Sequence, residues 1–147
     1  MRVSEAMTRT VRVCNSAQSI ADCARMMREI DSGALPVAER NRLVGMITDR
    51  DIAVRAVAAG KDPDTAVGEV MSRQVLFCFD DQDLDHVARS MGEARVRRLP
   101  VVDRQSNLVG ILSLADVALR HAAAAAGDAL ARLSRHGGPH SQTKVRE

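Results

Sequence analysis

A chain of 147 residues is the size of one compact domain, and its net charge of +2 argues neither for nor against a nucleic-acid partner. The aromatic content of 1% disfavours such a partner, because stacking on single strands normally needs aromatic side chains. No apolar stretch approaches the roughly 18–20 residues that a membrane helix needs, and the amino terminus lacks the apolar run of a secretion signal. We therefore expect a cytoplasmic protein without membrane contact.

The first elements of each half are an extended run followed by an amphipathic helix. Residues 11–14 and 75–78 predict short strands, and Ser16 and Asp80 follow them as predicted helix N-caps. Each helix then carries one apolar stripe at i, i+3, i+4, i+7 spacing. The stripe residues are Ile20, Cys23, Ala24 and Met27 in the first half, and Leu84, Val87, Ala88 and Met91 in the second.

A hairpin and a second helix complete each half. Strand signals lie at 34–38 with 43–47 and at 98–102 with 108–112, joined by short polar turns. Pro36 and Pro100 have no backbone N–H, so we expect each at a strand edge or start. The second helices are predicted to begin near Asp49 and Leu114, and an alanine-rich helix and a disordered tail follow.

The two halves repeat the same motifs in the same order. Residues 3–14 return as 67–78 with six of twelve identical, and three shorter motifs recur behind them. Those motifs are Leu35-Pro36-Val37 with Leu99-Pro100-Val101, Leu43-Val44-Gly45 with Leu108-Val109-Gly110, and Thr48-x-x-Asp51 with Ser113-x-x-Asp116. The repeat predicts a first domain at 1–60, a linker at 61–66, a second domain at 67–122 and an extension at 123–147.

This ordered set of motifs resembles the CBS domain, named after cystathionine β-synthase, over residues 1–122. The resemblance implies an α/β (α+β) fold of two β-α-β-β-α repeats in a pseudo-two-fold pair, called a Bateman module. It also implies a regulatory protein that senses an adenosyl ligand, namely AMP, ADP, ATP, NAD or S-adenosylmethionine, in clefts between the repeats. A homodimer and a separate effector protein are expected, with no required cofactor.

The hydroxyl–carboxylate pairs carry the predicted chemistry. Asp51 and Asp116 can accept hydrogen bonds from ribose hydroxyls, while Thr48 and Ser113 can donate to a phosphate. The resemblance implies that adenine lies against the two Leu-Pro motifs, beside backbone groups near the first strands. Arginines that follow or flank the motifs are candidate phosphate contacts. These further residues are Val11, Leu35, Pro36, Arg55, Val75, Arg98, Leu99, Pro100 and Arg120, with Arg50, Arg97 and His121 also considered.

Other interpretations stay open at this point. Both hydroxyl–carboxylate pairs have the form of helix capping boxes, which would stabilise the helices without any ligand. The chain would then be an interaction module with vestigial nucleotide clefts. No catalytic constellation and no metal-ligand spacing is visible, so neither an enzyme nor a metal site is predicted.

The three cysteines are predicted to be free. Cys14 and Cys78 occupy equivalent positions in the two halves, but equivalent positions need not be close in space. Cys23 belongs to the apolar stripe of the first helix. We therefore expect buried thiols in a reducing compartment.

Overall fold

The computed structural model of this chain describes residues 1–9, 11–120 and 123–134 and forms two compact units. The first-repeat unit comprises Thr10–Leu76 and Arg104–Leu108. The second-repeat unit comprises Met1–Arg9, Phe77–Asp103 and Val109–Glu147. The segment that opens each repeat along the chain therefore belongs to the unit of the other repeat. His121 and the predicted tail at 135–147 lie outside the described residues.

Helices and strands mix in both units, as the predicted α+β class requires. The helices are α1 (Val3–Ala6), α2 (Ile20–Ile30), a π-helix (Asp51–Val57), a 3₁₀ turn (Val67–Glu69), α3 (Leu84–Ala94), α4 (Leu114–Arg120) and α5 (Ala123–Leu133). The strands are β1 (Ala34–Glu39), β2 (Arg42–Thr48), β3 (Cys78–Phe79), β4 (Arg98–Val102) and β5 (Leu108–Ser113).

The amphipathic helices α2 and α3 begin three residues later than predicted. Their N-caps are Ser19 and Asp83, whose side chains accept the backbone N–H of the residue three positions on, each at 3.1 Å. The predicted N-caps Ser16 and Asp80 are therefore wrong. Ser16 instead donates its N–H and hydroxyl to Glu39, which lowers the pKa of that carboxyl group. Seven of the eight stripe residues are buried as the spacing predicted, and Ala24 is exposed.

Both predicted hairpins form, with ends shifted by a residue or two. In the first-repeat unit β1 and β2 pair antiparallel, and the register sets Ala34 opposite Thr48. Arg40 and Asn41 have positive φ, which matches the twist that a tight two-residue turn requires. In the second-repeat unit the order is β3-β4-β5, and β3 runs parallel to β4.

Pro100 lies inside the central strand β4, so the expected edge or start position is wrong there, whereas Pro36 lies in β1, an edge strand of the two-stranded sheet. Pro36 sits between β2 and the Cys14 segment, and its carbonyl accepts the Cys14 N–H at 3.0 Å. Extending that parallel ladder towards Val11 would need an N–H from Pro36, which proline lacks. This explains why only Cys14 of the predicted strand 11–14 joins the sheet. Pro100 in the central strand β4 limits β3 in the same way.

A glycine in each hairpin lies against a Met-Thr/Ser segment that is distant in sequence. Met46 of β2 exchanges backbone hydrogen bonds with Ser72 at 3.0 and 2.9 Å. A Cβ placed on Gly45 would lie 2.8 Å from the Ser72 carbonyl oxygen. On Gly110 of β5 the corresponding distance to the Thr8 carbonyl oxygen is also 2.8 Å. The Leu-Val-Gly motif therefore ends in glycine because a side chain would push this segment away.

Helix α5 packs against α3 in the second-repeat unit. A Cβ on Gly92 would lie 2.9 Å from the Cα of Ala129, and both residues are buried. Ala88, one turn earlier on α3, is also buried. Its equivalent in the first repeat is the exposed Ala24, and the equivalent of Gly92 is Arg28. Small residues on α3 thus allow α5 to pack closely, whereas Arg28 at the equivalent position of α2 would not.

The cysteines differ from the expectation of three free thiols. Cys14 and Cys23 are joined by a disulfide, with their Cα atoms 6.6 Å apart. The buried stripe of α2 packs over the end of the first extended segment, which brings these two side chains together. Cys78 is free and buried, and burial, with a smaller contribution from Asp80, raises its pKa to about 12.

Replacing Gly45 or Gly110 with alanine should lower the free energy of unfolding by about 1–3 kcal/mol, because the new Cβ meets a fixed carbonyl oxygen. Gly127→Ala is the control, since no atom lies within 4 Å of its Cβ position. That change should be neutral or stabilise α5 by up to about 1 kcal/mol. Urea unfolding followed by circular dichroism measures all three, and equal effects would contradict the close-approach explanation.

Thiol counting should separate Cys78 from the other two cysteines. In the native protein at pH 8 Cys78 should react slowly with a maleimide, because it is buried and its raised pKa leaves little thiolate. Denaturation without reductant should release one reactive thiol, and denaturation after reduction should release all three. Three reactive thiols without reductant would show that Cys14 and Cys23 are not bonded.

Candidate functional site

Both hydroxyl–carboxylate pairs form complete capping boxes at a strand-to-helix junction. The Thr48 N–H donates to Oδ2 of Asp51, and the Asp51 N–H donates to Oγ1 of Thr48, both at 3.0 Å. Ser113 and Asp116 make the same two bonds at the same distances. The capping interpretation of these motifs is therefore confirmed in geometry, and it uses only one oxygen of each carboxylate.

The second carboxylate oxygen has a different partner in each unit. Oδ1 of Asp51 lies 3.8 Å from Nη1 of Arg55, whose guanidinium also donates to the Met71 carbonyl at 3.3 Å. Oδ1 of Asp116 instead accepts the hydroxyl of Thr8 at 3.4 Å. An arginine thus neutralises the first carboxylate, whereas a neutral hydroxyl contacts the second.

The helices that follow the two boxes also differ. Asp51 opens a π-helix, in which the Ala58 N–H donates to the Ala53 carbonyl five residues back. Asp116 lies in the first turn of an ordinary α-helix. The two recurring arginines therefore lie on helices of different type, Arg55 on the π-helix and Arg120 on an α-helix. π-Helical turns occur frequently at functional sites.

Sequence reasoning missed the repeated Met-Thr/Ser-Arg segment as part of the site. Thr8 exchanges backbone hydrogen bonds with Ile111 of β5 at 2.8 and 2.9 Å, which places its hydroxyl near Asp116. Arg9 follows directly, and its guanidinium donates to the Ser4 carbonyl at 3.0 Å. The signal was present in the repeat itself, because residues 7–9 and 71–73 match. Their position beside the carboxylates depends on long-range pairing that the sequence does not show.

The predicted adenine contacts are mostly covered by protein. The side chains of the Leu-Pro motifs are buried, so only their backbone could meet a ligand. Val11 and Val75 are half-buried. The buried residues are Leu35, Pro36, Leu99 and Pro100.

Charged residues lie beside both boxes. Near Thr48, the Asp49 carboxylate lies over Gly33, where a Cβ would be 2.7 Å from Oδ2. Near Ser113, the Leu114 N–H donates to the Arg97 carbonyl at 3.0 Å, and exposed Arg98 follows. Arg120 is exposed at the end of α4, and Arg50 is exposed beside Asp51. The assignment of these residues to a ligand stays a prediction.

The described residues contain neither a cluster of metal-ligating side chains nor a membrane-spanning helix. No group of three or more histidine, cysteine, aspartate or glutamate side chains in residues 1–9, 11–120 and 123–134 could hold a metal ion. Within the same ranges, no helix combines the length and apolar character needed to cross a membrane.

The two units and their matching boxes define a tandem-repeat protein, and the comparisons with known proteins agree. The CBS domain family matches residues 3–57 and 67–122, so the chain belongs to the CBS domain family as a CBS pair. It is 41% identical over 133 residues to CBS domain-containing protein YhcV of Bacillus subtilis, covering 90% of this chain and 94% of that protein. Proteins of this family are generally regulatory rather than catalytic.

A second relative is known both in sequence and in structure. Hypoxic response protein 1 of Mycobacterium tuberculosis is 41% identical over 106 residues, covering 71% of this chain and 73% of that protein. The crystal structure of Hypoxic Response Protein I, with two coordinated zinc ions, superposes with a TM-score of 0.75 at 34% identity. That match covers 82% of this chain and 99% of the other.

Two further structural neighbours hold adenosyl ligands. CBSX2 in complex with AMP matches with a TM-score of 0.71 at 29% identity, covering 80% of this chain and 93% of that one. The CBS pair of MJ0100 in complex with 5-methylthioadenosine and S-adenosyl-L-methionine has a TM-score of 0.71 at 30% identity. It covers 81% of this chain and 98% of that one. The predicted fold class and family are thus confirmed.

Removing the hydroxyl of either box should destabilise its unit. Thr48→Ala and Ser113→Ala each leave a helix-terminal N–H without its acceptor, which costs about 1 kcal/mol in unfolding free energy. Ser90→Ala is the control, because that hydroxyl bonds only to its own helix at the His86 carbonyl. Urea titrations of the three variants measure the difference, and a box variant as stable as Ser90→Ala would contradict the capping role.

Proposed function

We propose that this CBS pair is a cytoplasmic, non-catalytic sensor that binds an adenosyl ligand, one of AMP, ADP, ATP, NAD or S-adenosylmethionine. Occupancy of the sites is passed to a separate partner protein or to the self-association of the chain as a homodimer. The ligand acts as an effector, and no cofactor is required. Two neighbours that hold AMP or S-adenosylmethionine support this class of ligand.

The observation that carries the proposal is the oxygen of each carboxylate that the capping box does not use. The capping box takes Oδ2 of Asp51 and of Asp116, and Oδ1 remains outside it in both units. An ionised carboxylate accepts hydrogen bonds and donates none, so Oδ1 suits the vicinal hydroxyls of a ribose. Both side chains lie half-buried at a helix start, where an acceptor is held in a fixed direction.

The partners of Oδ1 supply a route from ligand to signal. In one unit Thr8 bonds to Asp116, and in the other Arg55 joins Asp51 to the Met71 carbonyl. A ribose that binds either carboxylate must share or displace these contacts. Each contact holds the Met-Thr/Ser segment, which leads along the chain into the other repeat, so occupancy changes how firmly that segment is held.

Exposed apolar side chains on the second helix of each repeat support the proposed self-association. Val54 and Val57 of the π-helix are 50% and 66% exposed, and Leu119 of α4 is 86% exposed. Val54 and Leu119 occupy equivalent positions in the two repeats. Exposed apolar residues that recur at equivalent positions are suited to a contact between copies.

The alternative is an interaction module that works without a ligand. It is favoured by the same boxes, since capping alone accounts for both hydroxyl–carboxylate motifs. The two functions differ in whether the carboxylates are needed beyond folding, and a conservative substitution can separate the two requirements.

Asp51→Asn and Asp116→Asn should separate ligand binding from capping. The amide oxygen can still accept the Thr48 or Ser113 N–H, so the box is preserved while the charge is lost. We expect binding of the preferred ligand to weaken roughly tenfold or more at the affected site, with little change in stability. Calorimetric titration with the five ligands measures affinity, and light scattering with and without ligand measures self-association.

The control for this experiment is Asp85→Asn, an exposed carboxylate on α3 that belongs to neither box. Binding that is lost in the box variants and kept in the control supports the sensor. Absence of binding by a folded protein freed of co-purified nucleotide would reject the sensor in favour of the interaction module.

A further inference from the structure

Helix α5 covers one helix face of the second-repeat unit. It lies beyond residue 122, where the match to the CBS domain ends, and it contacts both α3 and α4. Its contact with α3 is close, because a Cβ on Gly92 would lie 2.9 Å from the Cα of Ala129. Arg132 adds an ion pair to Glu93 at 3.6 Å, and Leu133 packs against the hydrophobic core. This helix is therefore a firmly packed addition to the repeat and not one of its elements.

The equivalent face of the first-repeat unit is exposed. Ala24 and Arg28 of α2 correspond to Ala88 and Gly92 of α3, and the first pair is exposed whereas the second pair is buried. A helix placed on α2 as α5 lies on α3 would meet the long side chain of Arg28. The two faces therefore differ in what they can bind, although they are built from the same repeat.

Apolar side chains accompany the exposed face of α2. Ile30 at the end of α2 is 37% exposed, and Val54 and Val57 of the π-helix are 50% and 66% exposed. Both helices belong to one structural layer, because each contributes buried residues to the hydrophobic cluster of the first-repeat unit. Covering these side chains by another molecule would remove apolar surface from water, which favours association.

The charges on α2 indicate which molecule fits this face. The helix carries Asp22 and Glu29 against Arg25 and Arg28, so neither sign dominates. In a two-fold contact the same patch meets itself, and a patch with both signs can set its arginines beside the carboxylates of the other copy. A strongly acidic or strongly basic partner would find no complementary charge here. A second copy of this chain is the occupant that the face favours.

We propose that α5 is an intramolecular cap that closes the helix face of the second-repeat unit, so that two copies associate through the helix face of the first-repeat unit. The proposal rests on the self-association in the proposed function and narrows it to one of two equivalent faces. Association then stops at a dimer, because the capped face offers no site for a third copy.

Two matched substitutions test which face is used. Val54→Glu and Leu119→Glu place a carboxylate at equivalent positions that are both exposed, so neither change disturbs a core. Light scattering of the full chain over a concentration series should show a dimer. Its dissociation constant should rise roughly tenfold or more in Val54→Glu and stay within about twofold in Leu119→Glu. Equal weakening by both, no weakening by either, or a wild-type assembly larger than a dimer would overturn the proposal.

An introduced disulfide tests whether α5 stays on its own chain. A Cβ on Gly92 would lie 3.2 Å from the Cβ of Ala129, close to the separation of about 3.5–4.5 Å that a disulfide joins. Oxidised G92C/A129C should run as a single chain on a non-reducing gel and keep the dissociation constant of the wild-type dimer. The wild-type chain, whose cysteines are buried, is the control under the same oxidant. A link between chains would show that α5 is exchanged between copies, and no link would place α5 away from α3, so either result overturns the cap.

The same preparations separate this proposal from the sensor itself. Calorimetry with the five adenosyl ligands reads binding, and light scattering reads the dimer. A monomeric wild-type chain that binds a ligand would overturn this proposal and leave a sensor that acts on a separate protein. A dimer that Val54→Glu weakens, in a chain that binds none of the ligands, would support this proposal and reject the sensor.

Discussion

The close approach of a Met-Thr/Ser segment to a glycine on the adjacent strand is the contact on which each unit depends. Ser72 meets Gly45 in one unit and Thr8 meets Gly110 in the other, with backbone hydrogen bonds formed to the same strands. Because each segment comes from the start of the opposite repeat, neither repeat completes a unit by itself. Chains of about 60 residues bury a marginal core, so the segment from the other repeat supplies apolar surface that one repeat lacks.

Because each unit takes its Met-Thr/Ser segment from the other repeat, the two sites share a backbone arrangement. Their side-chain contacts differ. The segment brings the Thr8 hydroxyl to Asp116, whereas Asp51 pairs with the guanidinium of Arg55 from its own helix. The π-helix places Arg55 where it can also hold the Met71 carbonyl. A ligand at Asp51 therefore meets a carboxylate with a cation beside it, and a ligand at Asp116 meets one whose contact is a neutral hydroxyl.

Local signals predicted the hairpins and capping boxes, because spacing and turn chemistry act within a few residues. The prediction was wrong where distant groups decide. Pro36 ends the ladder to residues 11–13 by withholding one N–H, and packing of α2 pairs Cys14 with Cys23. The packing of α5 against Gly92 could not be predicted either. A glycine within a helix indicates a close helix contact only when the opposing helix is known. The exchanged segments were seen as a repeat, but their place beside the carboxylates was not.

Capping and ligand binding need not compete for the same atoms. In the box the Thr48 hydroxyl oxygen accepts an N–H, and its own proton stays available to donate to a phosphate. Asp51 uses Oδ2 for the backbone, and Oδ1, which lies 3.8 Å from Arg55, can accept a ribose hydroxyl without breaking the box. The box thus holds both side chains in place through Oδ2 of Asp51 and the lone pair of the Thr48 hydroxyl, which a bound nucleotide would not use. Since a ligand binds the folded arrangement and not the unfolded chain, occupancy should add to the stability from capping.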